Sequence, residues 1–466
     1  VPLMSPAPTL RVRQVEVFKR PVKFRMTFRF GVAVVNFMPV AHLRLTAEFA
    51  DGKVVRGHSA CGLPPLWFDK DLSKSHDDNI RDQLRSTRIA IDAYTAAGAA
   101  TAWELHRATQ PAILKRCAAD GLNELTSGYG IALVDLAVLD AVCRRAGRTF
   151  HEGLRADLFG LGPAFAACVP AAPVPRMHVR HTVGLSDPIL DGDIDAPLDD
   201  GLPESLEQVV RETRGRYYKV KISKDAAASL ERLRRIAGLL DRRAGDYAVS
   251  LDGNEQFGTM EEFFAFVRGV QEAPELRSFW HRILWIEQPV TRHHSLGPEV
   301  EGPLREIDKA KPVIIDESDG TDDAWARARA LGYRGVSAKN CKGVFRTLHN
   351  FRQIHEANGG GPARYFMSSE DLTNQPIVSL HQDFAVAAAL GISNSERNGH
   401  HYVRGLTQLS AREREGARRD YATLYRGDDG LTAMHIDGGT VSLEEINRAA
   451  LGVVGEPDYE AMEPVR

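Results

Sequence analysis

In RVRQVEVF, near the start of the chain, apolar residues recur at every second position, the spacing of a strand with one buried face. VAVVNFMPVAHLRLTAEFADGKVVRGHSA carries two further extended runs, split by the turn pair Asp51-Gly52. Between the first strands, KRPVKFRMTFRFG reads as a basic and aromatic loop. From about Lys74 the period lengthens to about 3.6 residues. DDNIRDQLRSTRIAIDAYTAAG, TAWELHRATQPAILKRCAADG and GIALVDLAVLDAVCRRAG each predict a helix ending at or near glycine. Strands followed by helices predict an α+β domain over residues 1–168.

The pattern changes near Pro170, where VPAAPVPRM reads as an entry linker. Strands then alternate with helices. VRHTVGL precedes the helical PESLEQVVRETRG, and YYKVKIS precedes AAASLERLRRIAGLLDRRAG. YAVSLDGN, ILWIEQPV, KPVIIDES, GVSAKNC, ARYFMSSE and FAVAAALGISNSE are further strand candidates. About eight such units over residues 169–404 predict an α/β fold, a (β/α)8-type TIM-like barrel. A doubly wound open sheet is the alternative, and the lack of G-x-G-x-x-G after an early strand weighs against it. QEAPELRSFWHR, before the ILWIE strand, reads as an insertion. Residues 405–466 are polar and Arg-rich, then show short strand and helix signals. They are expected to pack back on the N-terminal domain and complete a cap over the barrel.

Composition narrows the function classes. Apolar residues make up 43% and charged residues 26%, the balance of a globular protein that is not built around a membrane. A net charge of -3 gives no single-sign field of the kind that attracts nucleic acid or an anionic surface. Cys61, Cys117, Cys143, Cys168 and Cys341 form no CxxC pair, which argues against a zinc cluster or disulfide framework and for a reducing compartment. VPLMSPAPTLRVRQVEVFKR lacks the apolar segment of a secretory leader, and no run of about 18 apolar residues occurs. The expectation is a cytoplasmic protein acting on small molecules, with neither nucleic acid nor membrane as partner.

In a barrel of this kind, chemistry sits at the C-terminal ends of the strands. The second strand ends in Lys219-Val220-Lys221, whose lysines share one face. The third ends in Asp252-Gly253-Asn254, the fourth in Glu287-Gln288-Pro289, the fifth in Asp316-Glu317-Ser318, and the sixth carries Lys339. Singly these are ordinary: a solvated lysine face, a turn, a helix cap. Together they follow strongly apolar strands, so the ionised groups need partners. Carboxylates on three consecutive strands converge on one point, and all-oxygen donors suit a hard cation, Mg²⁺ above all. Strands two and six lie opposite in an eight-strand ring, which puts Lys221 and Lys339 on either side of that point.

With this arrangement the chain resembles the enolase superfamily, and within it the muconate-lactonizing-enzyme-like subgroup of the mandelate racemase/muconate lactonizing enzyme family. YYKVKIS, SLDGNEQF, WIEQPV, IIDES and VSAKNCKGV stand in the family's order, and GIALVDLAVLDAVCRRAGRTF resembles the helix that leads from cap to barrel. The resemblance implies Asp252, Glu287 and Asp316 as ligands of Mg²⁺, with Mn²⁺ as the alternative ion. It implies Lys221 and Lys339 as the acid/base pair, Lys219 as a binder of the substrate carboxylate, and Asn254 as a polar neighbour of the metal. Glu317 is a candidate for orienting a lysine or the ligand shell. A homo-oligomer is implied as well. Besides the insertion QEAPELRSFWHR, two features depart from the family: Lys342 is followed by Gly343-Val344 rather than paired glycines, and MSSED stands where a His/Asp dyad would place its histidine. The second favours two-lysine chemistry. Ser368, Ser369, Glu370 and Asp371 are expected at the pocket rim.

The implied reaction removes a proton next to a substrate carboxylate through an enediolate. Two opposed bases favour racemisation or epimerisation, while dehydration of a hydroxy or sugar acid and cycloisomerisation are alternatives on the same scaffold. A Schiff-base aldolase would not need three converging carboxylates, and a non-catalytic binding protein would not need every ligand and base. The loops KRPVKFRMTFRFG and CGLPPLWFDK are expected to close over the mouth, with Phe30, Trp67 and Arg25 facing the substrate.

Overall fold

The computed structural model describes residues 7–465. The first strands are β1 (Leu10–Arg20), β2 (Lys23–Phe30), β3 (Ala33–Phe37), β4 (Val40–Phe49) and β5 (Val54–Gly62). β1, β4 and β5 form an antiparallel sheet, while β2 and β3 form a separate hairpin. KRPVKFRMTFRFG is therefore mostly strand rather than loop. Its Phe24, Phe28 and Phe30 fall on alternate positions and are buried, a period-two pattern masked by the arginines between them.

Three helices follow: α1 (His76–Ala96), α2 (Ala102–Ala119) and α3 (Glu124–Ala146). Capping boxes at Ser75/Asp78 and Thr101/Glu104 start the first two, and the Asn123 side chain caps the third. α3 packs against β5 and α1. Among the described residues it is the one helix long and apolar enough to cross a membrane, and that stretch is wholly buried inside the fold.

The barrel strands are β6 (Arg176–Val183), β7 (Tyr217–Lys221), β8 (Ala248–Asp252), β9 (Ile283–Glu287), β10 (Val313–Ile315), β11 (Gly335–Ala338), β12 (Phe366–Ser369) and β13 (Asn394–Arg397). They run parallel in chain order, and β13 pairs with β6 to close the ring. An open doubly wound sheet is thereby excluded. The last strand is shorter than the sequence suggested. In FAVAAALGISNSE, the apolar run belongs to the helix Val378–Ala389, and only the polar end is strand. Alanine favours helix, and periodicity alone cannot separate a buried helix from a buried strand. QEAPELRSFWHR spans the end of the helix Met260–Glu272, a 3-10 turn and the short helix Arg277–Arg282.

The tail joins both parts. Strand Glu463–Pro464 pairs with β1 of the cap, and strand Thr440–Ser442 pairs with β6 of the barrel.

Candidate active site

Register brings the charged strand ends together. Lys221 pairs with Asp252 across β7 and β8, and Asp252 with Glu287 across β8 and β9. Asp316 follows β10 directly and Lys339 follows β11 directly. Lys219, Lys221, Asp252, Glu287, Asp316 and Lys339 are all buried.

Lys219 sits at the centre. Its Nζ is 2.9 Å from Asp252 Oδ2, 2.8 Å from Glu287 Oε2, 2.6 Å from Glu370 Oε2 and 2.9 Å from Glu396 Oε2. Burial alone would drive off its proton. The four carboxylates outweigh burial and hold the ammonium well above the usual lysine range. Lys221 Nζ donates to Asp252 Oδ2 at 2.6 Å, and Lys339 Nζ to Asp316 Oδ2 at 2.6 Å. Despite burial, Lys339 is held above its ordinary range by Asp316, and Asp316 is held far below its own by Lys339, Lys342 and Lys219.

Glu287 contrasts with Asp316. Its Oε1 has no hydrogen-bond partner, and burial followed by the charge of Glu370 pushes the carboxyl well above the usual range. Among the described residues, no three His, Cys, Asp or Glu side chains are gathered as they would be around a metal ion. Lys219 stands between Asp252 and Glu287, and lysines hold Asp316. The donor set nevertheless fits a hard divalent cation: three carboxylates on neighbouring strand ends, with Glu287 Oε1 unpartnered and the Lys219 ammonium bridging Asp252 and Glu287.

Above this lies the mouth cavity. The cap contributes Phe28, Phe30, Val35, Met38, Pro64 and Trp67. The barrel contributes Lys221, Asn254, Lys339, Asp371, Leu372, Thr373, Glu396 and Asn398. The mouth cavity has about 20 Å³ of free volume, room for about one water. Trp67 lies over Lys339, with the ammonium 4.5 Å from its ring centre.

Of the residues expected at the substrate, Phe30, Trp67, Asn254 and Asp371 line this cavity. Lys219, Ser369 and Glu370 lie deeper: Glu370 pairs with Lys219, and Ser369 Oγ hydrogen-bonds Ser395 Oγ. Glu317 faces a side cavity with Lys70, Glu255 and Arg292. It accepts a hydrogen bond from Asn254 Nδ2 at 3.2 Å, and burial next to Asp316 pushes its carboxyl up to about 7. Arg25 points away from the mouth. Its guanidinium pairs with Asp200 at 2.6 Å and donates to the carbonyls of Leu202, Pro203 and His401.

The sequence reading missed two charged groups at this centre. Glu396, on β13, accepts from Thr182 Oγ1 and the Lys219 ammonium. Arg180, on β6, is fully buried; it donates to Ser250, Ser368, Ser369 and Glu370 and stacks on Trp285. Their positions in NSER and VRHTVGL are marked only by barrel closure, which brings first, seventh and eighth strands side by side.

No protein-family model and no curated protein sequence matches the chain. Solved structures match it in fold over nearly its whole length. One is a dipeptide epimerase from Enterococcus faecalis V583, solved with Mg and the dipeptide L-Leu-L-Tyr. It has 14% identity and TM-score 0.59, covering 95% of this chain and 99% of that one. Another is an enolase from Bradyrhizobium solved with magnesium and mandelic acid, at 17% identity, TM-score 0.62, and coverage of 98% and 99%. A mandelate racemase/muconate lactonizing protein from Herpetosiphon aurantiacus matches at 15% identity, TM-score 0.60, and coverage of 96% and 99%. The chain therefore shares the fold of these structures: a closed eight-strand parallel barrel beneath an N-terminal antiparallel cap.

Proposed function

We propose that the protein is a Mg²⁺-dependent enzyme of the enolase superfamily that removes the proton next to a substrate carboxylate. The observation that carries this reading is the set of carboxylates at three consecutive strand ends, Asp252 and Glu287 paired in register and Asp316 just past β10, beneath a cavity lined by both Lys221 and Lys339. Asp252, Glu287 and Asp316 would hold the divalent cation, which would supply positive charge to the substrate carboxylate as it gains electrons.

The protein's own groups do the rest. Lys221 or Lys339 takes the proton as a neutral amine, a state that Lys339 reaches only when its bond to Asp316 is given up to the cation, and the electrons of the broken C–H bond pass into the carboxylate. The other lysine, as ammonium, returns a proton to the same carbon from the opposite side. Lysine serves here because it can exist neutral near working pH, as arginine cannot. The apolar cap excludes water from the exchange. Two lysines in one cavity favour racemisation or epimerisation over dehydration or cycloisomerisation, which share the first step.

The test is solvent exchange. With Mg²⁺ in D₂O, the α-hydrogen of a carboxylic acid substrate washes out. Lys221→Ala and Lys339→Ala each stop the wash-out from one stereoisomer or both while circular dichroism stays native. Exchange that persists in the Lys221→Ala, Lys339→Ala double variant would sink the assignment.

A further inference from the structure

We propose that the outer face of the cap sheet, where the C-terminal tail folds over it, is a binding site for a multiply charged organic oxyanion, a phosphate monoester or a polycarboxylate. The site is a cavity of about 540 Å³ between β1, β4 and β5, the helix Ala411–Asp420 and residues 453–460. That is the size of a small-molecule site. None of the residues lining it lines the barrel mouth, so the proposal stands apart from the reaction proposed there.

Strand register gathers the basic groups. On β4, His42 and Arg44 are two residues apart and share a face. Phe18 and Glu16 of β1 stand opposite them, which puts Arg20 on the same face. Arg56 of β5 stands opposite Thr46, two residues beyond Arg44, and joins them. A charged face of an antiparallel sheet is usually a solvated one. Here the tail covers it. The Tyr459 ring lies 4.7 Å from that of Phe18, and its hydroxyl donates to the Leu43 carbonyl. Arg20 is left 3% exposed and His42 4%. The helix adds Arg412 and Arg419 to the wall.

The unmet hydrogen bonding in the lining is all on nitrogen. Its buried side-chain atoms without partners are Arg20 Nε, Arg20 Nη1 and His42 Nδ1. Burial, then the charge of Arg20, holds the His42 imidazole well below its ordinary range. The lining acids are engaged already. Glu413 accepts from Arg20 Nη2 at 2.7 Å and from the backbone N–H groups of Ser410 and Asp458. Asp420 accepts from Arg419, and Glu456 from Arg56 at 3.3 Å, while Glu460 is exposed. A buried guanidinium with open N–H groups calls for acceptors, and phosphate and carboxylate oxygens match it best.

The rest of the cavity suits a carbon skeleton. Ile377, Val378, Val453, Val454 and Pro457 line it beside the arginines, and they offer apolar contact. Arg44 is held in place for the charged end. Its Nε and Nη2 pair with Glu16 at 2.7 and 2.8 Å, and its Cζ lies 4.9 Å from the Tyr459 ring centre. Several guanidinium groups around one cavity favour an anion with more than one negative charge.

The test is calorimetric titration of the full chain, at fixed ionic strength and without added Mg²⁺, with phenyl phosphate, citrate and, as control, sodium chloride. The expected result is saturable binding of phenyl phosphate or citrate with a Kd of about 1 mM or less, and none of chloride. The tighter of the two tells phosphate from carboxylate recognition. The double variant Arg44→Gln, Arg56→Gln should weaken binding roughly tenfold or more, the worth of a charge-assisted hydrogen bond. Both side chains are partly exposed, so circular dichroism should stay native. Arg56→Gln alone, at a side chain 53% exposed, repeats the test with the least burden on the fold. Lys339→Ala at the barrel mouth should leave binding unchanged. Binding that survives the double variant, or that Lys339→Ala abolishes, overturns the proposal. So does the absence of saturable binding of both anions at millimolar concentration.

Discussion

Lys219 shows how a single residue can organise a buried centre. An isolated ammonium without exposure would shed its proton, yet four carboxylates within 2.9 Å keep it charged. Removing one partner of a buried ionic cluster leaves the others uncompensated. Lys219→Met is expected to cost about 4 kcal/mol of stability in urea titration. Mg²⁺ should recover more of that loss than it adds to the parent protein. Glu287→Gln should act in the opposite sense, since it removes the carboxylate with the unpartnered oxygen. Mg²⁺ then no longer raises the midpoint of thermal unfolding, measured by scanning fluorimetry. Asp252, Glu287, Asp316, Lys221 and Lys339 could be picked out beforehand because each terminates a recognisable apolar run. Glu396 and Arg180 could not, because their strands carry no such run and their charged partners, Lys219 and Glu370, lie more than a hundred residues away. Arg25 misled for the same reason: Asp200, which neutralises it, is distant in the chain.

At the scale of elements, the loop after β5 is clamped to the barrel. Arg292 donates to the carbonyls of Trp67 at 2.7 Å and Phe68 at 2.9 Å, and Glu255 accepts from Arg292 and Lys70. Arg292 and Lys70 outweigh burial and bring the Glu255 carboxyl down to about 2. The turn that presents Glu255 is strained, with φ of 40° at Asn254 and 65° at Glu255. Gly253 precedes it where a Cβ would meet Pro289 Cα at 2.6 Å. Arg292→Ala should free residues 62–70, seen as faster hydrogen exchange there with the barrel unchanged, and should lower kcat/KM by releasing Trp67 from Lys339. A second contact fixes the cap itself. A Cβ on Gly57 of β5 would meet the Ala137 carbonyl of α3 at 2.0 Å. Gly57→Ala should therefore destabilise the protein by about 3 kcal/mol in urea, the upper range for overpacking. The helices of the cap were legible from period and caps. The β2–β3 hairpin was obscured by its arginines, and the helix Val378–Ala389 by an apolar run that suits either structure.

Across the whole molecule, the C-terminal tail couples cap, barrel and the helix before the last strand. His381, in that helix, is fully buried between the Gly452 carbonyl and the Tyr425 hydroxyl. Burial lowers its pKa to about 3, against a small opposing effect of the carbonyl. The unfolded chain therefore takes up a proton between about pH 6.5 and 3 that the native protein refuses. The stability due to a neutral His381 is complete above about 6.5 and is lost as pH falls. The cost is about 2 kcal/mol between pH 7 and pH 5. His381→Gln should flatten that part of the urea stability profile. Barrel topology was readable from the alternating pattern. The double attachment of the tail was not, since two- and three-residue strands carry no periodicity to detect.

The ammonium at the barrel centre also bears on how the protein is assembled in time. Small zinc domains stay unfolded until their ion arrives. This chain carries a tethered counter-charge from synthesis onward, so its carboxylates need not wait for a metal before the barrel closes. On the proposed function, an incoming ion would have to displace that resident charge as well as take up the free Glu287 oxygen. Its apparent affinity is then a difference between two cations competing for the same acids, set as much by where the displaced side chain can go as by the acids themselves.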